Sequence, residues 1–246
     1  MNDMAKETKS GAAGCEQMML FEKWTEGSSG RLPWPRDARS WTVRDVGARQ
    51  VIFRQGGKPE CLFEIINGML KLSQVTEDGR QIILGFPTAG QLVGLTGGKE
   101  YRYAVETVTP TRLRLLRWTV FYRQLLQERP AREKLLRWID AQEEMTHDHI
   151  AMLALQSPLS KLATFLLRQI SQQKKGTGSE SSTVDLPMTQ RDIANYLQIA
   201  PETCSRTMKK LRDDGIIAAR DRSGDGQLLK ILDRKRLSDF AIAGSP

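Results

Sequence analysis

The sequence predicts an α+β chain in three parts: a β-rich N-terminal half, one long helix, and a C-terminal part of short helices with a hairpin. Three observations predict it. Between Ala48 and Trp118, short runs of β-branched, aliphatic and aromatic residues alternate with Gly turns. After Pro130 an apolar seam recurs at helical spacing as far as Gln156. From Met188 to Ile217 the pattern is two short helices around a tight turn, the second with two distinct faces.

Residues 1–39 are polar and rich in Gly and Ser, with Leu32-Pro-Trp-Pro35 among them; this composition predicts a partly ordered arm with one helical turn around Glu16–Trp24. Residues 40–130 hold the strands. Val51–Phe53, Cys61–Ile66, Met69–Leu72, Gln81–Leu84, Ala104–Thr107 and Leu113–Leu116 are the expected ones. Gln55-Gly-Gly57 supplies a turn, and Asn67-Gly68 and Asp78-Gly79 are hairpin signals. Many short strands so joined fold as a barrel or jelly roll.

Residues 131–157 are the long helix and a hinge. Leu135, Ile139, Met145, Met152 and Leu155 form its seam, interrupted by Gln142 and His149. A helix of about 40 Å overhangs one small domain, so a second copy of the chain is expected along it. His147 and His149 stand at i and i+2 and project in different directions. They are therefore surface or interface residues in preference to ligands of a haem iron. Ser157 can cap, and Pro158 start, a further helix to about Gln173. Lys174–Thr183 then reads as a loop and Val184–Leu186 as a short strand.

Residues 158–246 centre on the two-helix stretch. Thr189 is an N-cap with Asp192 as its capping-box partner, and Ile193, Ala194 and Leu197 form a small apolar face. Gln198–Ala200 is the turn, Pro201 fits the first position of the second helix, and Gly215 ends it. On that helix Cys204, Met208 and Leu211 make a buried stripe, while Glu202, Ser205, Arg206 and Lys209 make a polar one. A short helix with an apolar back and hydrogen-bonding side chains in front suits the DNA major groove. Ile216–Ala219 and Leu228–Ile231 flank Ser223-Gly-Asp-Gly226 as a hairpin, which makes this a winged helix-turn-helix. Asp233 can cap a last helix to about Ile242.

Charge agrees with that placement. The chain carries +8 at neutral pH with a pI of about 9.5; from Pro158 onward 15 basic residues face 10 acidic ones. Excess positive charge is expected in a domain that approaches phosphates. Cys15, Cys61 and Cys204 have no metal or redox spacing, and so sparse a set fits a reducing cytoplasm. Met18–Phe21 is too short for a signal peptide, and no apolar run approaches the roughly 20 residues of a membrane span. No nucleophile–base constellation, metal motif or Gly-rich phosphate loop appears, so an enzyme is not expected.

Thr189-x-x-Asp-Ile-Ala-x-Tyr-Leu followed by Glu202-Thr-x-Ser-Arg206 resembles the CRP/FNR superfamily of bacterial transcription regulators, closest to the FNR/FixK branch, over roughly Val43–Phe240. The resemblance implies a cyclic-nucleotide-binding-like β-roll, a dimerisation helix and a homodimer on double-stranded DNA, with RNA polymerase as a further partner. A nucleotide-binding module of the kinase-subunit kind would share the β-roll but lack the winged helix. Carried residue by residue, Glu202, Ser205 and Arg206 would read bases, Arg forking to guanine and Glu accepting from a cytosine amino group. Pro201 stands where the cyclic-AMP branch has Arg. The half-site is therefore expected to resemble TTGAT more than TGTGA, in an inverted repeat with centres about one helical turn apart. Thr189, Gln190, Arg191, Thr203, Lys209 and Lys210 are candidate phosphate contacts, which position without specifying.

The family's familiar inputs fare less well. A [4Fe–4S] cluster takes four thiolates and the arm holds only Cys15, so no cluster is expected. In the cyclic-AMP branch a Glu holds the ribose and an Arg the cyclic phosphate. Here Gly90-Gln-Leu-Val-Gly-Leu95 puts Gln91 in place of Glu, no Arg-Ser pair follows, and Arg102 precedes Tyr103. A cyclic phosphate then lacks its counter-charge, and no cofactor is expected. Gln91, Arg102 and Glu106 remain as candidate lining of a pocket for another effector. The alternative reading is a regulator gated by haem–NO, another small molecule or thiol oxidation, or one responsive to a cyclic nucleotide. For oxidation Cys204 is the candidate: a helix N-terminus and Arg206 would lower its pKa. Its place on the Met208/Leu211 stripe, where relatives carry Ile or Val, favours a small inert hydrophobe.

Overall fold

The computed structural model describes residues 41–177, 183–220 and 226–242. Eight strands come first: β1 (Trp41–Val46), β2 (Val51–Phe53), β3 (Cys61–Asn67), β4 (Leu70–Val75), β5 (Gln81–Gly85), β6 (Leu92–Val93), β7 (Ala104–Thr107) and β8 (Thr111–Arg117). They form two antiparallel sheets, ordered β1-β8-β3-β6 and β2-β7-β4-β5. Gly68 turns β3 into β4 at φ +100°, with the Pro110 carbonyl 2.7 Å from where a Cβ would stand, so both conformation and space require glycine. Between the sheets Phe53, Phe63, Ile65, Val105 and Leu113 form a closed core.

Two strands and a helix here were not expected. β1 is an edge strand whose residues are mostly exposed, so no alternating apolar pattern marks it; its pairing with β8, Trp41 opposite Leu116, holds it. β6 is only two residues long. Helix α1 (Trp118–Gln127) follows β8 directly, and its N-cap Arg117 makes no side-chain capping bond, so the usual start signal is missing. It is held by Phe121, 2 % exposed, with the Trp118 ring edge-on at 5.3 Å.

Helix α2 (Arg129–Ala154) starts two residues before the expected Ala131, because Pro130 sits inside its first turn, and it ends at Ala154. Only Ala131 and Met152 are buried, whereas Leu136, Ile139 and Ile150 are exposed along its length. The C-terminal part comprises α3 (Pro158–Thr177), β9 (Thr183–Leu186), α4 (Gln190–Tyr196), α5 (Pro201–Asp213), β10 (Ile217–Arg220), β11 (Gln227–Ile231) and α6 (Arg234–Ile242). Ser157 Oγ accepts from Leu159 N (3.2 Å) and Asp233 Oδ1 from Arg236 N (2.9 Å), the expected caps. Helix α3 runs past Gln173 to Thr177, where a loop was expected. Strands β10, β11 and β9 pair antiparallel in that order.

The core of this part packs Phe165, Leu166, Ile193, Met208 and Leu211, and it continues without a break into Met69, Ile83 and Phe86 of the β-roll. The arm 1–39 with its expected helical turn, residues 178–182 of the expected loop, and Ser223–Asp225 of the expected wing turn lie outside the described residues. Among the described residues no helix is long and apolar enough to cross a membrane.

Candidate nucleic-acid interface

Helix α4 opens with the expected capping box. Thr189 Oγ1 accepts from Asp192 N (3.0 Å), while Thr189 N and Oγ1 donate to Asp192 Oδ2 (3.2 and 2.8 Å). It closes with Gln198 at φ +52°, where Ile199 N donates to Ala194 O (3.0 Å) and Gln198 N to Asn195 O (3.2 Å). This is a Schellman closure, and a non-glycine residue in it sits in a backbone region costing roughly 1–2 kcal/mol. The Gln198 amide offsets part of that by donating to Asn195 O at 2.7 Å.

Ala200 then caps α5 in extended conformation and Pro201 takes its first position. Gly215, at φ +67°, ends it in a second Schellman closure, with Ile216 N on Leu211 O and Gly215 N on Arg212 O, both 2.9 Å. These two fixed ends hold α5 with one face in the core. Cys204, Met208 and Leu211 are fully buried, with Thr207 beside them. The opposite face carries Glu202, Ser205, Arg206, Lys209 and Lys210, all exposed, and Thr203 half-buried. Among the described residues no side chain pairs with Glu202, Ser205 or Arg206. Glu202 stands in the first turn and Lys210 and Arg212 in the last, the arrangement the helix dipole favours.

The other expected phosphate contacts divide. Arg191 is exposed and Gln190 half-buried at the start of α4. Thr189 has its hydroxyl proton and backbone N–H committed to Asp192, which separates it from the free donors. An open groove of about 980 Å³ runs beside them, with Arg191, Gln198 and Pro201 on one wall and Thr76 and Arg80 of the β4–β5 hairpin on the other.

Cys204 is buried, and burial pushes its thiol up to about 11, the opposite of the lowering that a helix N-terminus with Arg206 would bring. The three effector-pocket candidates have different surroundings. Gln91 Oε1 accepts from Thr88 N (2.7 Å) and its amide lies 3.7 Å from Met145 Sδ of α2. Arg102 is exposed. Glu106 faces Lys71, 3.8 Å away. The space between the sheets is filled instead by aromatic rings: Phe53 stacks on Tyr101 at 3.8 Å and meets Phe63 at 5.6 Å and Tyr103 at 5.8 Å. Tyr103 Oη accepts from Gly94 N (3.1 Å), and Tyr101 donates to Cys61 O (2.8 Å).

His147 is exposed, 4.0 Å from Glu143. His149 is half-buried against the Tyr196 ring (4.2 Å), with Nε2 3.3 Å from the Tyr196 carbonyl. Its pKa is lowered, chiefly by burial and further by Arg168, against the raising effect of the Tyr196 carbonyl. Sequence reasoning missed the seam that brings His149, Asn195 and Lys71 together, because its partners lie far apart in the chain.

Comparison with known proteins covers most of the chain. A family model described as a Crp-like helix-turn-helix domain matches residues 160–240, and one described as a cyclic nucleotide-binding domain matches residues 43–128. Nitrogen fixation regulation protein FixK of Bradyrhizobium diazoefficiens is 31% identical over 175 residues, covering 69% of this chain and 71% of the relative. Transcriptional activator protein anr of Pseudomonas aeruginosa is 29% identical over 206 residues, covering 82% and 80%. The solved structure of FixK2 from Bradyrhizobium japonicum superposes with a TM-score of 0.71 at 24% identity, over 81% of this chain and 96% of that one, a likeness of fold. With both halves matched and FixK and Anr regulators similar across most of its length, the chain belongs to the CRP/FNR family of transcription regulators, in its FNR/FixK branch.

Proposed function

We propose that the chain acts as a cytoplasmic homodimer that binds an inverted repeat of FNR-like TTGAT half-sites and works there with RNA polymerase, without an iron–sulfur cluster or a cyclic nucleotide. The observation that carries this is the front of α5: Glu202, Ser205 and Arg206 are exposed and unpaired among the described residues, on a helix whose back is locked into the core. Arg206 offers its fork to guanine and Glu202 accepts from a cytosine amino group. Gln190, Arg191, Thr203, Lys209 and Lys210 hold the phosphates. The exposed Leu136, Ile139 and Ile150 of α2 supply an apolar stripe for a second copy, which supports the dimer. The aromatic filling of the β-roll supports regulation without a ligand there.

The test is selection of duplexes from a random pool by the purified full-length protein, with and without peroxide, together with its absorption spectrum. An enriched TTGAT inverted repeat in both arms, and no visible absorption band, is the expected result. Enrichment of a TGTGA repeat, or of no repeat, would overturn the reading of α5. A haem or cluster band would overturn the cofactor-free part.

A further inference from the structure

Helix α4 has a face turned away from α5, and that face meets the β-roll. Strand β5 ends its sheet, so its outward backbone groups have no strand to pair with. Asn195 supplies the partner. Its Oδ1 accepts from Ile83 N at 3.0 Å and its Nδ2 donates to Gln81 O at 2.7 Å, the pairing a neighbouring strand would make with those residues. On one side Lys71 of β4 reaches Asp192 Oδ1 at 3.3 Å. On the other the Tyr196 ring lies 5.4 Å from Phe86 and its carbonyl takes His149 of α2. Beneath, Ile83 and Phe86 share one core with Ile193 and Leu197.

We propose that Asn195 is a positioning residue for DNA reading: it pins α4 to the β5 edge and so fixes the angle at which each α5 of a dimer is presented. The covalent join between α2 and α3, at Ser157-Pro158, would otherwise let the C-terminal part pivot. The base-reading face of α5 is exposed while α4 is docked on β5, so the dock leaves that face free to meet DNA. Asparagine suits the place because it offers one acceptor and one donor on a short stem. Aspartate would turn a carboxylate oxygen toward the Gln81 carbonyl, and alanine would reach neither group.

This inference rests on the dimeric reading of an inverted repeat, and the experiment separates the two. Full-length wild type, Asn195→Ala, Asn195→Asp and Lys71→Met are titrated against three duplexes: the selected inverted repeat, the repeat with one base pair inserted at its centre, and the repeat with one half scrambled. The wild type should prefer the uninterrupted repeat over both others. Both Asn195 variants should lose about tenfold on the uninterrupted repeat, about 1.4 kcal/mol, keep their affinity for the half-scrambled duplex, and lose the preference against the inserted base pair. Lys71→Met, which leaves the amide pairing in place, should shift the same way by a smaller factor; it carries the test if the Asn195 variants fail to fold. Wild-type affinity and spacing preference in the folded variants overturn the role of Asn195, and so does tighter binding, which would mean that the dock holds α5 away from DNA. A wild type indifferent to the repeat overturns the dimeric reading and the inference with it.

Discussion

Replacing Arg206 by alanine separates base reading from charge. Arg206 is exposed and unpaired among the described residues, so its loss should leave stability within about 0.5 kcal/mol. On DNA the effect is large. A bidentate Arg–guanine contact is worth about 1–3 kcal/mol of discrimination, and a dimer makes two, so about 2–6 kcal/mol is at stake. At 1.4 kcal/mol per decade this is a loss of roughly 30-fold to 10⁴-fold on the selected repeat. On a scrambled duplex only a mobile positive charge is lost, and affinity should fall little. Lys209→Ala is the control, one turn along the same stripe. As a phosphate contact it should weaken both duplexes alike and flatten the slope of log K against log salt by about 0.9 per contact, or about 1.8 per dimer. Fluorescence-anisotropy titrations of the two duplexes at several salt concentrations read both quantities. Equal losses on repeat and scrambled DNA for Arg206→Ala would refute base reading by this side chain.

Three further outcomes follow from the geometry. Thr189→Ala removes the side-chain arm of the capping box at α4, the acceptor for Asp192 N, while its backbone N–H can still donate to Asp192, and should cost about 0.5–2 kcal/mol, lowering the calorimetric midpoint; an unchanged midpoint contradicts the cap. Cys204→Ser places a hydroxyl in an apolar core and should destabilise by about 1–3 kcal/mol, whereas Cys204→Val should bind DNA like the wild type, and peroxide should affect neither wild type nor valine variant; a thiol-reversible loss in the wild type alone would restore the redox reading. Burial, with Arg168 beside it, holds His149 below the usual imidazole value, so the unfolded chain takes up a proton first as pH falls past about 6.5. Its contribution to stability is complete above that pH and lost as pH falls through the folded value, so urea midpoints at about pH 7.5 and about pH 5.5 should differ more for wild type than for His149→Gln, and equal differences count against it.

Local chemistry made much of the fold legible. Asn67-Gly68 and Asp78-Gly79 announce hairpins by backbone demand, and Thr189, Pro201 and Gly215 punctuate two helices whose apolar stripes are three to four residues apart. What stayed hidden depends on distant partners. β1 carries no alternation because most of it faces solvent, and only β8, some 70 positions on, defines it. Helix α1 starts without a cap. The effector candidates show how strand geometry scatters neighbours: along β7 Val105 and Thr107 are buried, so Glu106 must point to the other face, where it meets Lys71. Asn195 was silent because its two partners lie 112 and 114 positions away.

The packed β-roll bears on what could control such a regulator. A ligand shifts a conformational equilibrium only by its difference in affinity for the two states. For a ligand seated between the sheets, the binding state must first clear rings such as Tyr103 and Phe53. Moving one large apolar side chain out of a core costs about 1.5–3 kcal/mol, and freeing Tyr103 also strands the Gly94 N–H, at about 1–3 kcal/mol. Two rings and one lost hydrogen bond thus ask roughly 4–9 kcal/mol of the ligand before any shift begins. That corresponds to about three to six decades of affinity. Opening the seam between β5 and α4 breaks the Asn195 and Lys71 links and also parts Ile83 and Phe86 from the Ile193 and Leu197 they share a core with, so it carries a cost of its own.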